Sequence, residues 1–134
     1  MPQILLVDDD RLLRQVLGQA ISQMGHVVTQ AANGLECLRA FRTGPFDLVI
    51  TDLVMPEKEG IETILELRRT HPLTRIIAMS GGHDAKLVQS NLRCARQLGA
   101  TRVLLKPFLK AELLGAIDEI LGPVHPPGRQ PDGG

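Results

Sequence analysis

Three short apolar runs, each ending on a chemically active residue, constrain this chain more than any other feature. Ile4-Leu5-Leu6-Val7 closes on Asp8, Asp9 and Asp10; Leu48-Val49-Ile50 closes on Thr51 and Asp52; Val103-Leu104-Leu105 closes on Lys106 and Pro107. Apolar runs this short, bounded by turn residues, predict buried strands of a parallel sheet. In open parallel sheets, ligands collect beyond the carboxyl ends of the strands. The pattern therefore places several carboxylates and one lysine along a single sheet edge, where a divalent cation and a phosphoryl group can bind.

Helical patterns fill the intervals. Strand 1 is expected over 3–7 and an amphipathic helix over 11–24, with Leu13, Val16, Leu17, Ala20, Ile21 and Met24 on one stripe and Gly25 ending it. Strand 2 is expected over 26–31, an Asn33-Gly34 turn, helix 2 over 35–43 and strand 3 over 47–51. A loop from Val54 to Gly60 leads into helix 3, about 60–70, with Ile61, Ile64, Leu65 and Leu67 apolar and His71-Pro72 stopping it. Strand 4 covers 75–79. Helix 4, which Asp84 could cap, runs to Leu98; strand 5 covers 101–105 and helix 5 about 109–121. Five strand–helix units specify an α/β fold, a doubly wound parallel sheet covered on both faces. The order 2-1-3-4-5 puts strands 1 and 3 side by side at the switch point, and those strands carry Asp8, Asp9 and Asp52.

Composition narrows the function. The 134 residues suit one domain, residues 1–121; the last segment, 122–134, holds four prolines and four glycines and is expected to be a disordered tail. Formal net charge is zero and there is no Trp or Tyr, which argues against direct DNA binding and against a base-stacking surface. No apolar run is long enough to span a bilayer and no signal peptide is evident, so a cytoplasmic location is expected. Cys37 and Cys94 lack metal-like spacing and read as reduced thiols, and His26, His71, His83 and His125 show no ligand spacing.

A lone acid at a strand end is usually a solvated turn residue; the joint pattern carries the argument here. Packed carboxylates repel one another, and a divalent cation relieves this. Magnesium takes one or two carboxylates, waters and phosphate oxygens, and acids from strands 1 and 3 with a loop carbonyl just beyond strand 3 suit it. Lys106 can place a point charge on phosphoryl oxygens, and Ser80, at the end of strand 4, can donate its hydroxyl to the same group. Asp10 reads first as the N-cap of helix 1. The tertiary amide of Lys106-Pro107 makes a cis bond accessible where Lys106 turns back into the site, and cis is expected.

These residues resemble the receiver domain of two-component response regulators, of the single-domain, chemotaxis-regulator-like kind. The matching pieces are Val7 to Asp10, Ile50 to Pro56, Gly60, Met79-Ser80-Gly81 and Leu105 to Phe108, and the likeness covers residues 3 to about 121. The resemblance implies a flavodoxin-like fold with Asp52 as phosphoacceptor. It also implies magnesium (or manganese) held by Asp8, Asp9, Asp52 and the Val54 carbonyl, and Ser80 and Lys106 as switch and phosphoryl contacts. The donor would be a sensor histidine kinase or histidine phosphotransfer protein, and the output an unknown partner protein. The chain would catalyse only its own phosphorylation and dephosphorylation.

Two features depart from that family. An aromatic often stands three residues before the lysine, where this chain has Val103; and the Ser80–Lys106 interval is longer by about one helical turn (~4 residues). Gly81 and Gly82 are candidate hinges, or they relieve crowding at the site. Helix 4 is basic and helix 5 exposes Asp118 and Glu119, which could pair two copies in a homodimer or be two solvated faces. Three other readings stand beside the receiver. One is a pseudo-receiver that only docks. Another is a haloacid-dehalogenase-like phosphatase, which needs a second Asp two residues after its nucleophile; Asp52-Leu53-Val54 lacks one and Asp8-Asp9-Asp10 fits only formally, so turnover of a phosphomonoester would discriminate. The third is a fragment of a larger regulator.

Overall fold

A computed structural model describes residues 1–53, 59–81 and 84–122. Strands and helices alternate as β1 (Gln3–Val7), α1 (Arg11–Gln23), β2 (Val27–Ala31), α2 (Gly34–Arg42) and β3 (Leu48–Asp52). They continue as α3 (Glu59–Thr70), β4 (Arg75–Ser80), α4 (Ala85–Gln97), β5 (Arg102–Leu105) and α5 (Lys110–Leu121). All neighbouring strands pair in parallel, in the order β2-β1-β3-β4-β5. This is the doubly wound, flavodoxin-like α/β sheet that the sequence predicts.

The three central strands are apolar on both faces because both faces are covered. On one face Ile4, Leu6, Leu48, Ile50, Ile77 and Met79 pack against Leu17 and Ile21 of α1 and Leu113 and Ile117 of α5. On the other, Leu5, Val7, Val49, Ile76 and Ala78 pack against residues of α2, α3 and α4, including Phe41, Ile64, Leu67 and Ala95. Each fully buried aliphatic side chain contributes roughly 1.5–3 kcal/mol.

The helix ends reflect local polar groups. Asp10 caps α1 by accepting from the Leu13 N–H at 3.1 Å, and Asp84 caps α4 by accepting from the Lys86 N–H at 3.0 Å. Gly25 ends α1 with φ of 100°. Asn33-Gly34 is more than a turn: Asn33 caps α2 by accepting from the Glu36 N–H at 2.9 Å, so that helix begins at Gly34.

Two apolar positions expected inward face out. Val16 is 50% exposed and Leu65 51%. Successive helix residues are turned by about 100°, so with α1 buried around Leu17, Gly18 and Ile21, Val16 falls on the shoulder. Gly18, which carries no hydropathy signal, is buried instead. His26 lies just outside β2 and is buried.

The amino edge of the sheet is fastened by arginines. The Arg68 guanidinium, half-buried, donates to the carbonyls of Leu98 (2.9 Å), Gly99 (2.7 Å), Pro72 (2.9 Å) and Thr74 (2.7 Å), joining the α3–β4 and α4–β5 loops. Arg75 donates to the Ile120 carbonyl near the end of α5. The expected disordered tail beyond Gly122, the Val54–Lys58 part of the loop, Gly82, His83 and His125 lie outside the described residues.

Candidate functional site: an acidic cluster around a lysine

Strand register brings the candidate residues to one level. Val7 pairs with Thr51, Asp52 with Met79, and Ser80 with Leu105. The next residue along β1 is Asp8, and the next along β5 is Lys106, so both leave the sheet beside Asp52 and Ser80. Asp8 and Ser80 are fully buried, Asp52 is 4% exposed, and Asp9 faces solvent.

Lys106 binds two of the acids. Its Nζ donates to Asp8 Oδ2 at 2.8 Å and to Asp52 Oδ2 at 2.9 Å. Burial alone would lower the pKa of this ammonium. Hydrogen bonds to Asp8 and Asp52, reinforced by their charges, outweigh burial and raise it above the ordinary lysine value. The other Asp8 oxygen, Oδ1, accepts from the Asp10 N–H at 2.8 Å. Carboxylate oxygens of Asp8, Asp9 and Asp52 all lie within 4.8 Å of one another. Among the described residues no other group of three or more His, Cys, Asp or Glu side chains is gathered this closely.

The residues fit a hard divalent cation. Three hard oxygen donors from two adjacent strand ends converge, as magnesium or manganese requires. Both Asp8 oxygens are engaged, whereas Asp9 stands open to solvent. The Val54 carbonyl, expected as a further ligand, lies outside the described residues. Ser80 Oγ supplies an independent sign of a missing partner: it is buried and bonded to nothing among the described residues. A buried hydroxyl left so costs about 1–3 kcal/mol, and an incoming phosphoryl oxygen would satisfy it.

Around the lysine the chain is tight. The Lys106 N–H donates to the Ser80 carbonyl at 2.7 Å. A Cβ at Gly81 would come within 2.8 Å of Lys106 Cβ, so a glycine is required there by close approach. The Lys106-Pro107 peptide bond is cis. Val103 lies on β5 opposite Ala78, partly buried against the α2–α4 core.

Sequence reasoning passed over Arg14. Its Nη1 donates to the Asp8 backbone carbonyl at 2.6 Å and its Nε to Gln30 Oε1 at 3.3 Å. An arginine flanking an otherwise apolar helix stripe, on the side next to the acidic strand end, was the only signal of it. Among the described residues the histidines take no part: His26 is buried elsewhere, and the His71 ring packs tilted against Phe41 with ring centres 4.6 Å apart. Cys37 is free and its thiol is pushed up to about 12 by burial, which makes it inert at neutral pH.

A doubly wound sheet with acids at the ends of adjacent strands 1 and 3 and a lysine at the end of strand 5 defines a signalling domain of two-component systems. The chain belongs to the response regulator receiver domain family, which it matches over residues 4–118. It is 36% identical over 128 residues to the DNA-binding transcriptional regulator NtrC of Azospirillum brasilense. That match covers 96% of this chain and 26% of NtrC, so the chain spans about a quarter of that relative's length. It is 36% identical to a probable chemotaxis protein CheY of Rhizobium etli, covering 90% of this chain and 92% of that one. Among solved structures, the response regulator TrrA of Thermotoga maritima, in complex with Mg2+-BeF, superposes with a TM-score of 0.75 at 29% identity. That match covers 90% of this chain and 100% of TrrA.

Proposed function

We propose that Asp52 accepts a phosphoryl group from a phosphohistidine, on a sensor histidine kinase or a histidine phosphotransfer protein, and that the phosphorylated chain controls a partner protein. Receiver domains are signalling domains rather than conventional enzymes, and on this reading the chain catalyses only its own phosphorylation and dephosphorylation. The observation that carries the proposal is the Lys106 ammonium shared between Asp8 and Asp52, beside a buried Ser80 hydroxyl that lacks a partner among the described residues. A chain used only for docking has no need of that set.

Asp9 and Asp52, with Asp8 directly or through water and the Val54 carbonyl, would hold magnesium or manganese. The TrrA complex with Mg2+-BeF supports this assignment. Bound there, the ion would supply positive charge to the phosphoryl oxygens. The remaining work belongs to the protein. An Asp52 carboxylate oxygen approaches phosphorus in line with the histidine nitrogen; the P–O bond forms as the P–N bond breaks, and the electron pair leaves on the imidazole. Lys106 neutralises charge on the transferred group, and Ser80 donates its hydroxyl to one phosphoryl oxygen. The product is an acyl phosphate that water later hydrolyses.

The surroundings bear on the partners. Leu12 and Val16 on α1 and Leu109 after Lys106 are exposed beside the acidic edge and offer an apolar footing to a donor helix. On α4, Lys86, Arg93 and Arg96 are exposed, and α5 exposes Asp118 and Glu119, which supports a homodimer through these helices. Arg102 already pairs with Glu119 within the chain, so a dimer would have to compete with that contact. No helix among the described residues is long and apolar enough to cross a membrane; we assign the chain to the cytoplasm, as one receiver unit over residues 1–121, with no direct contact to DNA. The test is phosphoryl labelling by a phosphohistidine donor with magnesium. One acid-stable, base-labile group is expected on the parent and none on Asp52→Asn; equal labelling of the variant would refute the assignment.

A further inference from the structure

Asp8 is gripped by four different parts of the chain. Its backbone N–H donates to the Ala31 carbonyl of β2 at 3.2 Å. Its Oδ1 accepts from the Asp10 N–H at 2.8 Å, and its Oδ2 from Lys106 at 2.8 Å. Its backbone carbonyl accepts from Arg14 Nη1 at 2.6 Å, a bond that reaches from α1 back to the strand end. Arg14 is itself held, because its Nε donates to Gln30 Oε1 on β2 at 3.3 Å. Gln30 lies close over α1 at Gly18, where an added Cβ would stand 3.0 Å from its Nε2. Gly18, Gln30 and Arg14 thus form a bracket between α1 and β2 that ends on one carbonyl.

That carbonyl matters because Asp9 is the next residue. The Asp8 C=O and the Asp9 N–H share one rigid peptide plane. Fixing the oxygen fixes the direction in which the chain leaves toward Asp9. Asp9 is the exposed member of the acidic cluster, so its side chain has little packing of its own to orient it. We propose that Arg14 is a positioning residue for the cation site: its guanidinium sets the Asp8–Asp9 peptide plane so that the Asp9 carboxylate faces Asp8 and Asp52 before the ion arrives. The inference rests on the phosphoacceptor reading for its purpose, though its measurement does not. It also assigns Gln30 a role, as the anchor that holds the guanidinium in plane.

Direct magnesium and manganese binding to the full chain, measured by calorimetry with no phosphodonor present, tests this. Arg14→Gln is expected to weaken binding about tenfold, as the loss of groups that orient metal ligands does. Arg14→Lys separates position from charge. An ammonium keeps the charge but is a single point donor without the planar fork whose Nε and Nη1 set Gln30 and the Asp8 carbonyl in one plane, so binding should stay several-fold weak; recovery to the parent value would show that only charge mattered and overturn the proposal. Gln30→Leu should produce a smaller loss in the same direction, and it carries the test should the Arg14 variants fail to fold. In labelling with acetyl phosphate, the shift should appear in the magnesium concentration giving half-maximal rate rather than in the maximal rate. Parent-like affinity in Arg14→Gln and Gln30→Leu would sink the idea. A parent that binds magnesium yet never labels at Asp52 would instead sink the phosphoacceptor reading, leaving the affinity comparison to decide the role of Arg14.

Discussion

Lys106 serves the resting site as an internal cation. Two buried carboxylates facing one another need compensation, and the ammonium between Asp8 and Asp52 provides it. Replacing it as Lys106→Met removes the one cation that the two acids are seen to share. The expected loss is up to about 3 kcal/mol, the low end for breaking a buried pair because the lysine is partly exposed. Added magnesium should restore part of it. Urea unfolding monitored by circular dichroism measures this, since the chain has no Trp or Tyr to report by fluorescence. Equal stability of the two proteins without magnesium would contradict it. The pH dependence has a definite sign. The folded pKa of Lys106 lies above its ordinary 10.5, so its contribution is whole at neutral pH and fades only as pH rises through the raised value.

At the scale of elements, a response that starts at Ser80 is expected to leave through α4. Ser80 ends β4, Gly81 is crowded against Lys106, and α4 begins at Ala85. At its far end the α4–β5 loop is fastened by Arg68 through the carbonyls of Leu98 and Gly99. A change at Ser80 therefore meets a helix that is tied at its carboxyl end. Val103 gives β5 no ring to swing, so the hydroxyl is expected to carry more of the response. A hydrogen bond to a charged acceptor contributes about 1.5–3 kcal/mol to the active-state bias. Ser80→Ala should still accept phosphate at Asp52 but lose most of its activated response. The measurement is hydrogen exchange across residues 80–98 with and without a stable phosphoryl analogue; equal protection changes in parent and variant would show another route. The elements themselves were legible because apolar runs and caps are local signals: the ten strands and helices fall within a residue or two of their expected bounds. Partners distant in sequence were not. Nothing local says that Arg68 will bond four carbonyls, that Arg14 will reach the Asp8 carbonyl, or that Val16 will turn outward.

For the molecule as a whole, the strand order and the edge that carries the acids were readable from the alternation of strands and helices, and the residues singled out there, Asp8, Asp9, Asp52, Ser80 and Lys106, stand together. The far side of the sheet held a surprise in His26. It is 3% exposed and both ring nitrogens lack partners among the described residues. Burial lowers its pKa, with the charge of Asp118 acting in the opposite sense. The folded chain thus keeps this ring neutral where the unfolded chain would protonate it. Stability should fall as pH drops below about 6.5, by at most about 1.4 kcal/mol per pH unit for one proton. His26→Leu should flatten that slope between pH 7 and 5.5 in urea titrations; an unchanged slope would assign the acid sensitivity to other groups. A hydropathy pattern cannot find such a residue, because histidine reads as polar wherever it falls.

The four-sided hold on Asp8 has a consequence for timing. A small ion makes few contacts and has little free energy with which to order a floppy loop. Here β2, α1, the Asp10 amide and Lys106 hold the strand-1 acid with no ion present, so on the proposed reading an arriving cation would find Asp8 already in place rather than having to order it. On the phosphoacceptor reading, ordering of this acid would then add nothing to the delay between the phosphodonor's arrival and the response.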